Sequence, residues 1–307
     1  MQFGAILRGA LRGTRQLLQR TPASSKNENL TRCLCSSDGP SQDQVPESRD
    51  SLVQVKVDSI TGVATVAMNR PPVNSLNLDL LTDLHIALEK LDKTSTGIIL
   101  SSTIQKVFSA GLDLSEIYQP KSRERLSALW FNLQEVYVKL YGSSRPVIAA
   151  INGHAPAAGT ILVAACDYRI MAEGNYSVGA NETQLGLLAP FWMQDMLISI
   201  MGKRQASLMC QLGTTFSSQE ALNVGLVDKI VPQTDVMKTA QEEMNRWIKV
   251  PDFARHLTKV RMNRDNLNYF LARRDEDVKW QVDFFLKDSV QKIIGDYLQA
   301  LKDKKSK

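Results

Sequence analysis

Two short segments that join an apolar strand to a turn of small residues constrain the fold of this chain most. They are residues 108–114 (FSAGLDL) and 146–153 (PVIAAING), and a helical pattern follows each of them. Strand–helix–strand repetition of this kind implies right-handed crossovers and parallel strand pairing. Backbone N–H groups in such turns point into a site, where two of them can hold an oxyanion. We therefore predict an α/β fold with a site at these turns.

The flanking sequence fits the same fold. Residues 53–57 alternate between valine and polar residues, as a half-buried strand does, and a second strand is predicted over 63–68. Asn77 is suited to cap a helix whose leucines share one face, and a long helix is predicted over 122–141. From residue 233 the pattern is helical to the end, and its apolar stripes fit either core packing or a subunit interface.

Composition places the chain among ordinary globular proteins. The apolar fraction of 43% in 307 residues is large enough for one sizeable domain, and no apolar run reaches the roughly 18 residues of a membrane-spanning helix. The formal net charge is +5, and residues 1–32 account for it with six Arg or Lys residues against one Glu. Because the remainder is about neutral, the basic balance does not indicate nucleic-acid binding.

Residues 1–32 have the composition of a mitochondrial transit peptide. They are rich in arginine, contain Ser and Thr, and lack the compact apolar segment of a secretory signal. As a helix they place Phe3 and Leu7 on one stripe with two further leucines, and three arginines beside it. A disordered basic tail is the alternative. The polar residues 33–50 are predicted to be a linker in which the transit peptide is cleaved off. The predicted location of the protein is the mitochondrial matrix.

The cysteines do not have the spacing of a metal site. Neither Cys166 nor Cys210 has a Cys or His close to it in sequence, so both are predicted to be small buried apolar residues. We expect no bound metal. Neither a Walker motif nor a dinucleotide-binding glycine pattern is present, so the sequence supports neither nucleotide hydrolysis nor hydride transfer.

A single carboxylate accompanies the two turns. Glu182 lies in residues 181–186 (NETQLG), between Gly179 and Gly186, with no basic neighbour in sequence. One carboxylate facing one oxyanion hole is the minimum set for moving a proton on carbon beside a thioester carbonyl. The ordinary alternative for such a residue is a surface glutamate, which is the fate of most glutamates.

These segments occur, with 166–167 and 221–228 (ALNVGLVD), in the order and spacing of the crotonase (enoyl-CoA hydratase/isomerase) superfamily. The chain resembles this family over about residues 52–260. Residues 181–186, followed by 189–192 (APFW), are similar to its mitochondrial 3,2-trans-enoyl-CoA isomerase branch. The resemblance implies a crotonase-like ββα spiral with a C-terminal helical segment, a fatty enoyl-CoA substrate and assembly into a homotrimer or a pair of trimers.

The domain organisation that follows has three parts. Residues 1–45 are predicted to be the transit peptide and linker, residues 50–245 the spiral core, and residues 246–307 the C-terminal helical trimerisation region. Neither a nucleic-acid partner nor a transmembrane segment is expected.

The resemblance also implies roles for individual residues. The oxyanion donors are the N–H groups of Leu112 and Ala158, and Glu182 is the catalytic carboxylate. The implied substrate-binding residues are Ala110, Gly111, Leu112, Asp113, Leu114 and Ala158. Family members usually have glycine where this chain has Ala158, and Gly159 takes the role if that turn requires a positive φ. No cofactor is expected, because CoA enters as part of the substrate thioester.

A second position sets the reaction that the resemblance implies. Hydratases of this family carry another glutamate, which handles water, where this chain has Ile161. Because an aliphatic side chain cannot activate water, a single base favours moving a proton along the substrate. Glu182 would then take a proton from C2 of a 3-enoyl-CoA and return it at C4, giving trans-2-enoyl-CoA in the β-oxidation of unsaturated fatty acids. A hydratase, a dienoyl-CoA isomerase and a non-catalytic acyl-CoA-binding paralogue are the alternatives.

Overall fold

Two β-sheets organise the fold. The computed structural model describes residues 51–305, so the predicted transit peptide and its linker lie outside the described residues. The strands of the described part are, in chain order, β1 (Val53–Val57), β2 (Val63–Met68), β3 (Gly97–Ser102), β4 (Lys106–Val107), β5 (Val147–Ile151), β6 (Gly153–Pro156), β7 (Tyr168–Ala172), β8 (Val178–Gly179), β9 (Thr215–Phe216) and β10 (Lys229–Val231).

From β3 to β8, successive strands alternate between the two sheets. The larger sheet has the order β1-β2-β3-β5-β7-β10, and all of its pairs are parallel except β1 with β2. The smaller sheet has the order β4-β6-β8-β9, parallel except for β8 with β9. Between β3 and β8, each step along the chain therefore adds one strand to each sheet. This confirms the predicted α/β class and the ββα spiral.

The helices cover and extend these sheets. They are α1 (Leu78–Thr94), α2 (Leu114–Ile117), α3 (Arg123–Tyr141), α4 (Ala158–Ala164), α5 (Phe191–Leu212), α6 (Ser218–Asn223), α7 (Val236–Trp247), α8 (Asp252–Leu271), α9 (Arg274–Phe285) and α10 (Asp288–Lys305). Short 3-10 helices occupy Glu182–Leu185 and Gln233–Asp235. Helices α8 to α10 form the predicted C-terminal helical segment. Within residues 51–305, no helix is long and apolar enough to cross a membrane.

Side-chain caps explain where several helices begin. The Asn77 side chain accepts a hydrogen bond from the Leu80 N–H and starts α1 as predicted. Ser122 accepts one from the Arg125 N–H at the start of α3. A capping box over residues 217–220 begins α6. These caps satisfy N–H groups that have no partner within the helix.

The path after β5 differs from the sequence prediction. The sequence predicts a turn of small residues between β5 and the helix that follows, but the chain first forms β6 there and then turns at Ala157 into α4. At the start of β6, a Cβ on Gly153 would lie 1.9 Å from the backbone of Lys106. Glycine is therefore required where the chain passes from one sheet to the other, because β4 and β6 approach so closely.

Aromatic side chains join the C-terminal helices to the rest of the core. Trp130 packs edge-on against Phe285 at 5.6 Å between ring centroids, and Tyr137 against Phe270 at 5.2 Å. Trp192 lies against Trp130, Tyr137 and Phe270. Such ring pairs add to the free energy gained by burying the surface. This cluster places α9 directly beside α3.

The opposite face of the larger sheet is covered by α7. Ile99, Ile148 and Ile170 pack there with Ala240 and Met244 of the helix. The larger sheet is therefore buried on both faces, and its continuous apolar strands follow from that position.

Candidate active site

The two turns and Glu182 meet at one cavity of about 440 Å³. Leu112 lies in the first turn, Ala158 at the start of α4, and Glu182 at the start of its 3-10 helix, and all three line this cavity. Apolar side chains form much of the remaining wall. The structure thus brings together the three residues that the sequence singled out from distant parts of the chain.

Leu112 presents a free backbone donor. In the same turn, the N–H groups of Ser109, Ala110, Gly111 and residue 113 all donate to protein oxygens. Among the hydrogen bonds of residues 51–305, none has the Leu112 N–H as donor. A backbone N–H that lines a cavity and has no protein partner is suited to bind a ligand oxygen.

Ala158 supplies a second donor beside the first. Its N–H begins α4 and is no donor in any backbone hydrogen bond among the described residues. A Cβ on Gly111, whose φ is +87°, would lie 3.3 Å from the Ala158 nitrogen, so the two turns touch. The positive φ of the second turn falls on Ala157, at +52°, and not on Ala158. Ala158 lines the cavity, whereas Gly159 packs against the carbonyl of Ser109.

Glu182 is a buried carboxylate with an unused oxygen. Its residue exposure is 9%, and Oε2 has no hydrogen-bond partner within the described part of the chain. Burial raises the pKa of Glu182 from the usual 4.5 to about 7, because removal from water disfavours the charged form. A carboxyl group with such a pKa can both accept and release a proton near neutral pH.

The other implied substrate-binding residues surround the first turn. Ala110, Asp113 and Leu114 line the cavity with Leu112, whereas Gly111 contributes through its contact with the second turn. Asp113 is already engaged, because its carboxylate accepts from the Ser115 N–H and pairs with Arg70 at 2.8 Å. Its charge is thereby neutralised, which leaves Glu182 as the lining carboxylate with a free oxygen.

Ile161 occupies the wall where a water-handling glutamate was considered from the sequence. It lies on α4, lines the cavity and is 2% exposed. An aliphatic side chain at this place excludes water rather than activating it. The described residues also contain no group of three or more His, Cys, Asp or Glu side chains that could hold a metal ion.

Several walls of the cavity were not identified from the sequence. They come from distant helices and consist of Trp130 and Leu133 on α3, Phe285 on α9, and Tyr297, Leu298 and Leu301 on α10. Apolar residues on a helix have the same spacing whether they face the core or a cavity. No sequence signal would have separated the two cases.

Comparison with known proteins points to one family. The sequence model of the family described as enoyl-CoA hydratase/isomerase matches residues 58–305. Mitochondrial enoyl-CoA delta isomerase 1 of Mus musculus is 43% identical to the chain, over 82% of the chain and 88% of that protein. The protein of the same name from Homo sapiens is 44% identical, over 82% and 84%.

A solved structure shares the whole architecture. The crystal structure of human mitochondrial delta3-delta2-enoyl-CoA isomerase superimposes with a TM-score of 0.80 at 44% sequence identity. The superposition covers 83% of this chain and 99% of that one. The similarity therefore extends over both sheets and the C-terminal helices.

Proposed function

Since the chain belongs to the enoyl-CoA hydratase/isomerase family and is an enzyme of its isomerase branch, we propose that it moves the double bond of a fatty 3-enoyl-CoA. The product is trans-2-enoyl-CoA, and the reaction serves the β-oxidation of unsaturated fatty acids. The observation that carries the proposal is Glu182, a buried carboxylate that shares a cavity with two backbone donors. Neither its Oε2 nor those two N–H groups has a hydrogen-bond partner within residues 51–305.

The reaction begins at the thioester carbonyl. Its oxygen accepts hydrogen bonds from the N–H groups of Leu112 and Ala158, which line the cavity side by side. As the proton leaves C2, negative charge develops on this oxygen, and the two donors stabilise the resulting dienolate. Because both donors are backbone groups fixed by their turns, they need no reorganisation as the charge develops.

Glu182 then moves one proton. Its carboxylate takes the proton from C2, and the electrons of the C2–H bond pass into the dienolate. When the carbonyl re-forms, the double bond settles between C2 and C3, and the protonated Glu182 delivers its proton to C4. The raised pKa suits both halves of the step, because the group must gain and then lose the same proton.

The alternatives lack support at the cavity wall. Water addition needs a group to activate water, and the position considered for it is Ile161. A dienoyl-CoA isomerase would be expected to need further acidic residues, and the other lining carboxylate, Asp113, is paired with Arg70. A binding protein without activity would have no use for a buried, unpaired carboxylate, which costs folding free energy.

The proposal includes the surroundings of the reaction. CoA enters with the substrate, and the residues assigned a role need no cofactor. We infer a homotrimer, in which residues 246–307 make the subunit contacts, and location in the mitochondrial matrix. The naming of the mouse and human relatives as mitochondrial supports the compartment, as does the arginine-rich composition of residues 1–32.

Removal of residues 1–32 tests the location. We expect the shortened chain to remain in the cytosol, yet to fold and stay active, because the site residues begin far downstream. Cell fractionation with an activity assay on each fraction provides the measurement. Unchanged recovery in mitochondria would refute the targeting role.

Product analysis tests the reaction. The purified chain is incubated separately with 3-enoyl-CoA and with trans-2-enoyl-CoA, and the products are separated and identified. We expect conversion of the first substrate to trans-2-enoyl-CoA and little or no 3-hydroxyacyl-CoA from the second. Hydration as fast as isomerisation would show that a group other than Glu182 handles water.

A further inference from the structure

One wall of the active-site cavity is a tryptophan held by a buried carboxylate. Trp130 lines the cavity from α3 and is 2% exposed. Its indole Nε1–H donates to Asp277 Oδ2 on α9 at 2.8 Å. The ring also packs edge-on against Phe285. Rotation of the indole would break this hydrogen bond and leave a buried donor without a partner.

Asp277 is itself fixed from several sides. The same Oδ2 accepts from Gln134 Nε2 at 2.7 Å and from Trp192 Nε1 at 3.3 Å. The donors come from α3 and α5, and Asp277 belongs to α9. Three helices therefore meet at one oxygen, which makes this wall rigid.

A second cavity adjoins the active-site cavity. It has a volume of about 370 Å³ and is lined by Asp277 together with Trp280, which is half exposed. Leu188 and Pro190 line both this cavity and the active-site cavity. Trp130 lines one cavity and its hydrogen-bond partner lines the other. The pair therefore forms a partition between them.

We propose that the Trp130–Asp277 partition sets the length of acyl chain that the active site accepts. The inference rests on the proposed function, because it takes the fatty acyl chain of the enoyl-CoA as the occupant of the cavity. The thioester oxygen is fixed at Leu112 and Ala158, so the chain extends a set distance into the apolar part of the cavity. Trp130 contributes to that apolar part with Leu133 and Phe285. Without the indole, the chain would continue into the second cavity.

Two substitutions of Trp130 test the partition. Trp130→Ala removes the indole, and Trp130→Phe shortens it and deletes the N–H donor while keeping an aromatic ring. Trp247→Phe is the matched control, since the Trp247 Nε1–H also donates to a carboxylate, Glu243 Oε1, at 3.0 Å, but Trp247 does not line the active-site cavity. Each protein is assayed with 3-hexenoyl-CoA and 3-hexadecenoyl-CoA, and thermal unfolding reports whether it is folded.

The readout is the ratio of kcat/KM for the long substrate to that for the short one. We expect Trp130→Ala to raise this ratio at least about tenfold, the discrimination that a single methylene carries in an apolar pocket, and Trp130→Phe to raise it less. Trp247→Phe should leave the ratio unchanged. If Trp130→Ala does not fold, Trp130→Phe decides alone. A ratio within about twofold of the original chain in the folded Trp130 variants overturns the partition.

A binding measurement separates this proposal from the isomerase proposal. Titration with hexanoyl-CoA and palmitoyl-CoA, which have no double bond, requires no turnover. Selective gain of palmitoyl-CoA affinity in the Trp130 variants supports the partition even if the original chain fails to isomerise 3-hexenoyl-CoA, a failure that would reject only the isomerase function. Equal changes in affinity for both compounds overturn the partition while leaving the isomerase function intact.

Discussion

Two carboxylates of nearly equal burial have opposite surroundings in this molecule. Glu182 is 9% exposed and Asp277 is 8% exposed. Asp277 Oδ2 accepts from two indoles and one amide, which fix helices from three parts of the chain. Glu182 Oε2 has no partner among the described residues. Burial alone therefore does not make a carboxylate reactive, whereas burial without donors raises its pKa and leaves an oxygen free for substrate.

The largest expected effect is the loss of turnover when Glu182 loses its carboxylate. Glu182→Gln keeps the shape of the side chain but cannot accept the C2 proton. We expect isomerase turnover to fall by at least about 10³-fold while saturated acyl-CoA still binds. Steady-state kinetics and a binding titration check this. Glu242→Gln, at an exposed glutamate on α7, is the control and should leave turnover unchanged. Loss of less than about tenfold in Glu182→Gln would refute the assignment of the base.

A smaller effect is expected when the backbone donors in the same cavity as Glu182 are displaced. Gly111→Ala would place a Cβ 3.1 Å from the Ala157 Cβ and 3.3 Å from the Ala158 nitrogen, which pushes the two turns apart. We expect turnover to fall about 10²-fold, the usual cost of one oxyanion donor. Gly202→Ala is the matched control.

The control isolates geometry from backbone strain. Gly202 also has a positive φ, of +77°, but a Cβ there meets no atom within 4 Å. Both variants should lose about 1 kcal/mol of stability from the unfavourable φ. Steady-state kinetics of both then decide. Equal losses of turnover would show that the contact between the turns has no part in catalysis.

Replacing Glu182 and replacing Asp277 should change the free energy of unfolding in opposite directions. The native-state pKa of Glu182 lies above its usual value, at about 7 instead of 4.5, so the native state binds the extra proton between these pH values. The contribution of this proton to the free energy of unfolding is complete below pH 4.5. It is lost as the pH rises through 7, which lowers the stability by up to about 3 kcal/mol. Glu182→Gln removes this loss and should be more stable than the original chain at pH 8.

Asp277→Leu supplies the other half of that comparison. It leaves two indole donors and one amide donor without their buried acceptor, which we expect to cost about 3 kcal/mol or more at every pH tested. Denaturant unfolding at pH 5 and pH 8 measures both variants. A Glu182→Gln variant that is less stable than the original chain at pH 8 would contradict the unpaired state of Glu182.

The pH dependence of turnover should follow the same group. Because the carboxylate is the base, kcat/KM should fall tenfold per pH unit below about 7 and level off above it. A pH–rate profile of the original chain and of Glu242→Gln should coincide. A profile that stays level down to pH 5 would show that the carboxylate ionises with an ordinary pKa.

Features that depend on neighbouring residues could be predicted from the sequence. Close contacts between segments that are distant in sequence could not. Asn77 predicted where α1 begins, because capping depends on neighbours in sequence. The strand β6 was missed, since a four-residue strand with the sequence GHAP has no clear alternation. Its existence depends on the contact between Gly153 and Lys106, which are distant in sequence.

The candidate site likewise contains residues that the sequence identified and residues that it did not. Leu112, Ala158 and Glu182 were found because they lie in segments whose residue types and order are typical of one family. Trp130 and Asp277 carried no such signal, because an apolar helix position and a helix carboxylate are common in any globular protein. That they meet across two helices is a consequence of tertiary packing alone.

Isotope transfer shows directly whether one buried carboxylate carries the proton from C2 to C4. A 3-enoyl-CoA with deuterium at both C2 positions is incubated with the original chain in ordinary water, and trans-2-enoyl-CoA formed at early times is analysed by mass spectrometry and NMR. We predict that one deuterium remains at C2 and that deuterium is recovered at C4, since Glu182 is shielded from solvent. Product whose new C4 hydrogen comes entirely from water at the earliest times would contradict it.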